Sequence, residues 1–261
     1  MFLITRLLPQ PINNILFGKR NYYGTKVNTK DKDWIEWLKI YNDFYTETQK
    51  KGVGSFINNS GYKILKEVDV TDKTILEIGP GSMHHLKYLI GTPKKYIIAD
   101  VDKFFLQNSK TKLNNKNITN ESIYISDRNS SEIDGIEKNS IDIIVTFYSL
   151  EHLYKLKDNL LSYNQYLTEG GMIVGTVPCE GGLAWGFGRM LTSRRWMRKN
   201  TNIDPDKIIC WEHPNFVSDI KFHLDNIFRL KKQKFFPFKI INGDFNLLFS
   251  FIYIKKNQSY D

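Results

Sequence analysis

An apolar run that ends in an acid and two glycines contains the residue types best suited to chemistry in this chain. The run Thr74–Ile78 passes through Glu77 and ends at Gly79-Pro-Gly81. Glycine lacks a Cβ, so the backbone at Gly79 and Gly81 can adopt positive φ and approach a ligand closely. Amide groups at the start of a following helix then point at the bound molecule. The pattern predicts a turn that binds a nucleotide-like cofactor.

Two histidines are candidates for a general base. Histidine titrates near neutral pH and is the natural group to take a proton from a hydroxyl nucleophile. His152 ends the segment Phe147–His152, and we expect it to begin a helix after a strand, which makes it the first candidate. His213, in Trp211-Glu-His-Pro214, is the second. The alternative is structural, because an acid such as Glu151 is favourable in the first turn of a helix.

Apolar strand-like runs alternate with helical patterns, such as Phe104–Leu113 and Leu156–Leu167, through the middle of the chain. This alternation predicts a parallel sheet with helices on both faces. Two β-rich runs, Arg229–Lys239 and Phe245–Lys255, flank Asn242-Gly-Asp244, which is a hairpin signal. We therefore predict an α/β fold whose mostly parallel sheet ends in an antiparallel hairpin. The predicted parallel strands are Thr74–Ile78, Tyr96–Asp100, Ser122–Ser126, Ile141–Phe147 and Met172–Val177, the last preceded by a turn at Gly170-Gly171.

Polar side chains follow several of these predicted strands. Ligands of open α/β sheets lie beyond the carboxyl ends of the strands. Asp100 ends the second strand, where an acid can accept hydrogen bonds from ribose hydroxyls. Asp127 follows the third strand, where a side chain can meet an adenine amino group. Each has a plain alternative, since Asp100 could cap the next helix and Asp127 could be an ordinary loop residue.

The order of these motifs resembles class I S-adenosylmethionine-dependent methyltransferases, and most of all the broad type 11 group. Ile75–Gly81 looks like motif I, Ile97–Asp100 like the ribose-binding motif, Phe147–His152 like the signature after the fourth strand, and Gly170–Val174 like the fifth strand. The resemblance implies a Rossmann-like sheet of seven strands, with the antiparallel seventh between the fifth and sixth, and S-adenosyl-L-methionine as cofactor. The cofactor contacts that it implies are Glu77, Gly79, Gly81, Asp100, Val101, Asp127 and Phe147.

One residue departs from the family pattern. Met83 stands two positions after the second glycine, where the family often has a small residue. We expect it to crowd the packing of helix on strand and to weaken cofactor binding. A NAD site is disfavoured, because Gly79-x-Gly81 is followed by His84 and the fingerprint G-x-G-x-x-G is not met.

Residues 179–212 are predicted to form a substrate cap. The segment Glu180–Asn200 combines arginines with large apolar residues, and three interpretations stay open. It could bind a phosphate or carboxylate, as in a nucleotide-sugar or lipid-linked sugar, lie on anionic lipid, or cover the sheet edge with solvated arginines. The predicted acceptor contacts are Tyr148, Arg194 and Arg195.

Residues 1–59 are predicted to be an N-terminal arm and helical lid, ahead of a methyltransferase domain at 60–256. We expect residues 1–30 to be irregular or membrane-touching. Gly52-Val-Gly54 and Asn58–Gly61 are breakers, and a short helix should cover Tyr62–Glu67. Residues 32–50 read as an amphipathic helix, packed on the core or closing over a ligand, with Trp34, Trp37, Leu38, Tyr41, Phe44 and Tyr45 on one face.

Composition limits the partners and the compartment. The chain has 261 residues and a net charge of +9, which favours acidic partners or a solvated lysine-rich surface. Cys179 and Cys210 lack metal-ligand spacing, so no metal and no disulfide framework are expected, and a reducing compartment fits. There is no transmembrane run and no clear signal-peptide core, so we expect a cytoplasmic protein with optional peripheral contact to an anionic membrane.

The sequence therefore predicts methyl transfer from S-adenosylmethionine to a small polar acceptor, with a saccharide or lipid-linked sugar favoured. The rival enzymes methylate RNA or a lipid or quinone, and a non-catalytic scaffold is the rival of another class. Nucleic acid is less favoured, because the fourth strand ends in Phe147-Tyr-Ser-Leu150 and not in the Asn/Asp-Pro-Pro-aromatic pattern. The oligomeric state does not follow from the sequence.

Overall fold

Seven strands form one mixed sheet in the computed structural model, which describes residues 1–2, 4–49, 52–127, 129–240 and 242–256. The strand order is β3-β2-β1-β4-β5-β7-β6, with β7 antiparallel to both of its neighbours. The predicted α/β class, the mostly parallel sheet and the inserted seventh strand are confirmed. The strands are β1 (Thr74–Ile78), β2 (Lys95–Asp100), β3 (Asn120–Tyr124), β4 (Ile141–Phe147), β5 (Leu167–Pro178), β6 (Phe228–Phe236) and β7 (Leu248–Lys255).

Helices cover both faces of the sheet. Leu160 and Leu224 join the apolar cluster on one face, whereas Leu106 and Tyr62 join the cluster on the other. The helices are α1 (Gln10–Phe17), α2 (Arg20–Tyr23), α3 (Lys32–Gln49), α4 (Gly52–Tyr62), α5 (Lys103–Asn114), α6 (Leu156–Tyr166), α7 (Leu183–Leu191), α8 (Ser193–Asn200), α9 (Pro205–Glu212) and α10 (Val217–Ile227).

Two strand predictions need correction. β3 begins and ends two residues earlier than predicted, because it is a mostly exposed edge strand whose apolar alternation does not fix its limits. β5 begins at Leu167, so the predicted turn at Gly170-Gly171 is wrong. These glycines lie inside the strand, in an irregularity where its register against β4 shifts. Gly170 has φ +72°, which a glycine adopts without strain.

The hairpin of β6 and β7 exists without the predicted Asn-Gly turn. Residues 237–247 join the strands, and neither Asn242 nor Gly243 has positive φ, which a tight type I′ turn would need. The segment instead holds the start of the chain. Gly243 N donates to the carbonyl of Met1 (3.0 Å), and the fully buried Asp244 accepts from Ile4 N (2.9 Å).

The N-terminal region is more regular than predicted. Of the two predictions for residues 1–30, an irregular arm is wrong, because these residues contain α1 and α2 and bury Phe2, Leu16 and Phe17; contact with a membrane stays a prediction. The predicted helix 32–50 is confirmed as α3, with Trp34, Trp37 and Phe44 buried in an aromatic cluster beside α9. Leu38 is 50% exposed and does not share that face, whereas the side chain of Tyr45 and residue Lys50 lie outside what the structure describes.

The predicted breakers before β1 have different outcomes. Gly52 is the first residue of α4, whereas Gly54 and the Asn58–Gly61 segment lie inside this helix, which crosses the predicted boundary after residue 59. The short helix predicted at Tyr62–Glu67 is a 3-10 helix, Lys63–Glu67. Gly61 has a packing reason: a Cβ there would lie 2.3 Å from the Tyr148 hydroxyl and 2.7 Å from Thr176 Cγ2.

Two further expectations concern membranes and cysteines. None of the helices in the described ranges combines the length and the apolar character needed to cross a bilayer. Cys179 and Cys210 are both buried free thiols.

Gly61→Ala should lower the free energy of unfolding by about 1–3 kcal/mol, because the added methyl group overpacks the contact between α4 and β5. Gly188→Ala is the matched control: it is also a helical glycine, and its Cβ would meet nothing within 4 Å. This control should be neutral or stabilising by up to about 1 kcal/mol. Urea denaturation measures both, and equal effects of the two variants would contradict the packing argument.

Candidate active site

The turn after β1 is built from two left-handed glycines. Gly79 has φ +66° and Gly81 φ +51°. Gly79 N donates to the carbonyl of Ala99 (2.9 Å), which ties the turn to β2. A Cβ on Gly79 would lie 2.7 Å from Ser149 Oγ, and that hydroxyl donates to the Ile78 carbonyl (2.8 Å). The turn therefore needs glycine both for its φ and for the close approach of the loop after β4.

The helix expected after this turn is a single 3-10 helix, His84–Tyr88. Met83 precedes it with φ +47° and is 3% exposed, packed in the apolar cluster on that face of the sheet. Met83 therefore does fill space between the helical segment and the sheet. Its effect on cofactor binding stays a prediction.

Glu77 and Phe147 lie in a buried cluster beneath the turn. Tyr96 donates its hydroxyl hydrogen to Glu77 Oε2 (2.8 Å), and His85 Nε2 lies 3.2 Å from Oε1. Burial first, and then Glu77, raise the pKa of Tyr96 well above its ordinary value, so the phenol remains a donor. Phe147 stacks on the His85 ring at 5.1 Å. The carboxylate of Glu77 thus ties β1 to β2, and the predicted cofactor contacts of both residues stay predictions.

Asp100 lies at the carboxyl end of β2, beside the glycine turn. Its Oδ1 accepts from Asp102 N (2.9 Å). Asp102 is the residue that caps α5, accepting from Phe104 N (2.8 Å), so Asp100 is not the helix cap considered above. Val101, which follows Asp100, is half-buried.

Asp127 is an exposed residue of the loop after β3. Its Oδ1 accepts from Asn129 N (2.8 Å), and this hydrogen bond holds the pKa of the carboxyl below its usual value. The structure therefore brings Gly79, Gly81 and Asp100 to one edge of the sheet. Asp127 is placed beyond the neighbouring strand end, in a local turn of its own.

A second polar cluster lies at the carboxyl ends of β4 and β5. Glu180 follows β5 by two residues and is fully buried. Arg189 of α7 donates to both of its oxygens, with 2.7 Å between Nη1 and Oε1, and Trp185 Nε1 donates to Oε2 (2.8 Å). Burial alone would raise the pKa of Glu180, but Arg189 and a hydrogen bond from His213 outweigh it and hold the pKa well below its usual range.

His213 is a neutral imidazole oriented by Glu180. Its Nδ1 lies 3.0 Å from Glu180 Oε2 and 3.2 Å from Arg189 Nη2. A carboxylate can only accept hydrogen bonds, whereas Arg189 can only donate them and already donates to Glu180. Because the contact of Nδ1 with Glu180 is the shorter of the two, we assign the proton of the ring to Nδ1. Burial lowers the pKa of His213 to about 4. At neutral pH, therefore, Nε2 is the unprotonated nitrogen of this ring.

His152 has the opposite charge state. Its Nδ1 donates to the Glu212 carbonyl (2.5 Å) and lies 3.4 Å from the Glu212 carboxylate. Burial would lower its pKa, but the hydrogen bond with Glu212 outweighs this and raises the pKa to about 9. The two histidine rings meet edge to face at 4.7 Å. A protonated ring cannot accept a proton, so the raised pKa of His152 and the lowered pKa of His213 favour His213 as the base.

Arg20 of α2 holds the His213 loop from the N-terminal side. Its guanidinium donates to the carbonyls of His213 (2.6 Å) and Pro214 (3.0 Å) and lies 4.1 Å above the Phe216 ring. Sequence reasoning missed this contact, because nothing local marks a residue whose partners lie more than 190 positions away. It also gave no role to Glu180 or Glu212, and interpreted Arg189 as one of the arginines of a phosphate or carboxylate site, although Glu180 follows the fifth strand by two residues.

The three predicted acceptor contacts are not brought together. Tyr148 donates its hydroxyl hydrogen to the Asn58 carbonyl (3.0 Å) and so fastens α4 over the end of β4. Arg194 is 3% exposed and pairs with Asp206 and the Ile15 carbonyl, whereas Arg195 is exposed on α8. Their roles in acceptor binding stay predictions.

Comparisons with known proteins agree on one kind of domain. A family model described as a methyltransferase domain matches residues 55–226, more than half of the chain. A search of the curated proteins finds no match.

Several solved structures share the fold. A carbon methyltransferase named CurJ has a TM-score of 0.54 at 16% identity; the match covers 84% of this chain and 58% of that one, so this chain spans less than two thirds of its length. A SAM-dependent methyltransferase from Aquifex aeolicus has a TM-score of 0.51 at 13% identity, and the match covers 87% of this chain and 100% of that one. An S-adenosylmethionine-dependent methyltransferase from Mesorhizobium loti has a TM-score of 0.52 at 14% identity, and the match covers 76% of this chain and 97% of that one.

The buried carboxyl of Glu151 should make the stability of the protein depend on pH. It is 2% exposed, its Oε2 has no hydrogen-bond partner among the described residues, and burial raises its pKa from 4.5 to about 7. Between these values the folded chain binds more protons than the unfolded chain, so this group lowers stability as pH rises. Glu151→Gln removes that loss, and should raise the free energy of unfolding at pH 8 by about 1–3 kcal/mol relative to the wild type.

Urea denaturation from pH 5 to pH 8 tests this effect. Glu132→Gln, at an exposed glutamate, is the control and should track the wild type. Parallel pH profiles for Glu151→Gln and the wild type would show that the Glu151 carboxyl is not perturbed by burial.

Proposed function

The chain belongs to the family of methyltransferase domains, and we propose that it transfers a methyl group from S-adenosylmethionine to a hydroxyl of a small polar acceptor. The observation that carries the choice of a hydroxyl is the pairing of Glu180 with a neutral His213 at the carboxyl ends of β4 and β5. A hydroxyl is a weak nucleophile until a base takes its proton, and this pair supplies that base.

The residues at the ends of β1 and β2 fit the cofactor. Gly79 and Gly81 hold left-handed turns that leave the backbone approachable, and Asp100 provides a carboxylate at the position where ribose hydroxyls bind in related folds. S-adenosylmethionine supplies an electrophilic methyl group on a sulfonium sulfur. The protein has to hold the acceptor oxygen in line with that methyl group and keep water away.

The proton of the acceptor hydroxyl goes to His213 Nε2. The new carbon–oxygen bond forms as the carbon–sulfur bond breaks, which leaves S-adenosylhomocysteine, a methyl ether and a protonated His213. Glu180 stabilises this imidazolium through Nδ1, and the proton then passes to water. Arg189 keeps Glu180 ionised, so that the carboxylate orients the ring before the proton arrives.

A saccharide or lipid-linked sugar is the acceptor that we propose. It offers hydroxyls, and a phosphate on it would suit the net positive charge of +9. Of the arginines in the cap, Arg189 and Arg194 are occupied by Glu180 and Asp206, which leaves Arg195 and Arg198 at the surface for such a phosphate. A lipid or quinone acceptor is the second candidate, because α7 presents apolar residues outward.

Asp100→Ala should abolish binding of S-adenosylmethionine and S-adenosylhomocysteine, because it removes the carboxylate for the ribose hydroxyls. Calorimetric titration measures both ligands. Asp102→Ala is the matched control: it removes the cap of α5 and should cost about 1 kcal/mol of stability while keeping cofactor binding. No binding by the wild-type chain would favour a non-catalytic scaffold with Met83 filling the site.

His213→Gln should lower methyl transfer by about 10²–10⁴-fold, because the substituted side chain cannot take the proton. The assay follows labelled methyl groups from S-adenosylmethionine into a panel of acceptors, with separate arms for nucleotide-sugars, lipid extracts and RNA. Glu180→Gln should reduce turnover and change its pH profile, because the ring of His213 loses its charged partner; it should also lower stability, because buried Arg189 loses its ion pair. His223→Gln, at a histidine of α10 outside this cluster, is the control.

The affinity for S-adenosylmethionine should stay unchanged in His213→Gln, so that lost turnover reports on the base. The assignment is wrong if His152→Gln abolishes turnover while His213→Gln retains it. Activity confined to the RNA arm would replace the saccharide with nucleic acid as acceptor.

A further inference from the structure

α7 carries its charge inward and its apolar side chains outward. Arg189, the one charged residue of this nine-residue helix, is 7% exposed and paired with Glu180. Phe187 is 55% exposed and Leu191 is 72% exposed, one turn apart. At 100° per residue they share a face with Leu183, Ala184 and Gly188, and that face contains no polar side chain. This is the reverse of the pattern of a helix on a globular surface.

α1 extends this apolar surface. Leu16 and Phe17 of α1 pack on α7, where a Cβ on Gly186 would lie 2.9 Å from the Phe17 ring. α1 also exposes Ile12 (43%) and Ile15 (54%). Neighbouring helices therefore present large apolar side chains to solvent together, and we call this surface, formed by Ile12, Ile15, Phe187 and Leu191, the α1–α7 face.

Cations border the α1–α7 face. Arg194 donates to the Ile15 carbonyl, which places the start of α8 against α1. Of the remaining cations of α8, Arg195, Arg198 and Lys199 are exposed. The sequence has no acidic residue in 1–30 or in 181–203. The surface thus combines apolar side chains with positive charge and has no acidic residue in the segments that form it.

We propose that the α1–α7 face docks on the interface of an anionic lipid bilayer. Exposed Phe and Leu on a helix, bordered by Arg and Lys, suit insertion between headgroups together with attraction to anionic lipid. A symmetric dimer through this face would set Arg195, Arg198 and Lys199 near their own copies, so like charges oppose that occupant. The headgroups of an anionic bilayer supply the negative charge that this chain lacks there.

The surface lies on the reverse side of the helix that positions Glu180. A docked α7 therefore holds the Glu180–His213 pair just above the bilayer surface, where an acceptor with a lipid anchor is concentrated. The docking rests on exposure and charge alone and does not depend on the proposed methyl transfer.

Co-sedimentation with vesicles tests the docking. The full chain should pellet with vesicles of phosphatidylcholine and phosphatidylglycerol, and bind vesicles of phosphatidylcholine alone on the order of 100-fold more weakly, since three exposed cations lose their anionic partners. The double variant Phe187→Ser/Leu191→Ser should lose most of the binding, and Arg195→Gln/Arg198→Gln should lose most of its dependence on phosphatidylglycerol.

Phe104→Ser/Phe222→Ser is the matched control, because these phenylalanines are 58% and 62% exposed on α5 and α10. The control should bind like the wild type. Thermal unfolding and S-adenosylmethionine titration should be unchanged in all variants, which separates lost docking from lost folding and from a damaged cofactor site. Equal binding by the Phe187→Ser/Leu191→Ser variant and the wild type, or equal loss in the control, would overturn the proposal. So would a lipid-free dimer, seen by sedimentation equilibrium, that the double variant disrupts.

Discussion

The buried carboxylate of Glu180 determines how the cap of this protein is arranged. An ionised group that loses its water must be paired and hydrogen-bonded, or the folded state is strongly destabilised. Arg189, Trp185 and His213 all supply donors to the Glu180 oxygens. Arg189 can reach Glu180 only if α7 turns its charged side toward the sheet. The apolar side of α7 is then left facing solvent, so one buried charge accounts both for the orientation of His213 and for the unusual outer surface.

The cap is held by segments that are distant in sequence. Arg20 contacts the His213 loop from α2, and Phe2 fills the space where a Cβ on Gly181 or Gly243 would lie. Asp244, in the connection between β6 and β7, fixes the chain near Ile4. The N-terminal region therefore supports the segments that carry Glu180 and His213. A general base has to be held in place before its substrate arrives, and these contacts do so from outside the sheet.

The sheet and the cofactor turn could be predicted from sequence because their signals are local. Apolar runs, glycines and an acid at a strand end follow one another within a few residues, and periodicity gave the limits of β1 and β4 correctly. The prediction of a helix break at Gly61 was wrong, because this glycine is required by its close contact with Thr176 and not by a turn. The partnership of Arg20 with the His213 loop had no local signal. Asn242-Gly243 has the composition of a turn, but it binds the start of the chain.

The two histidines show why a residue type alone did not identify the base. Both stand near the carboxyl end of β4, and both have an acidic partner. His152 meets Glu212, which accepts from Trp37 Nε1 and has no arginine partner among the described residues, so the carboxylate holds a proton on the ring and raises its pKa to about 9. Glu180 is already balanced by Arg189, so its attraction for a second cation is reduced, and burial keeps His213 neutral with a pKa of about 4. The positive charge of His152 lies beside His213 and opposes a second protonation there. Neighbouring charges thus shift the pKa values of the two histidines in opposite directions, so that one is a cation and the other a proton acceptor. Acid–base chemistry at neutral pH requires this arrangement.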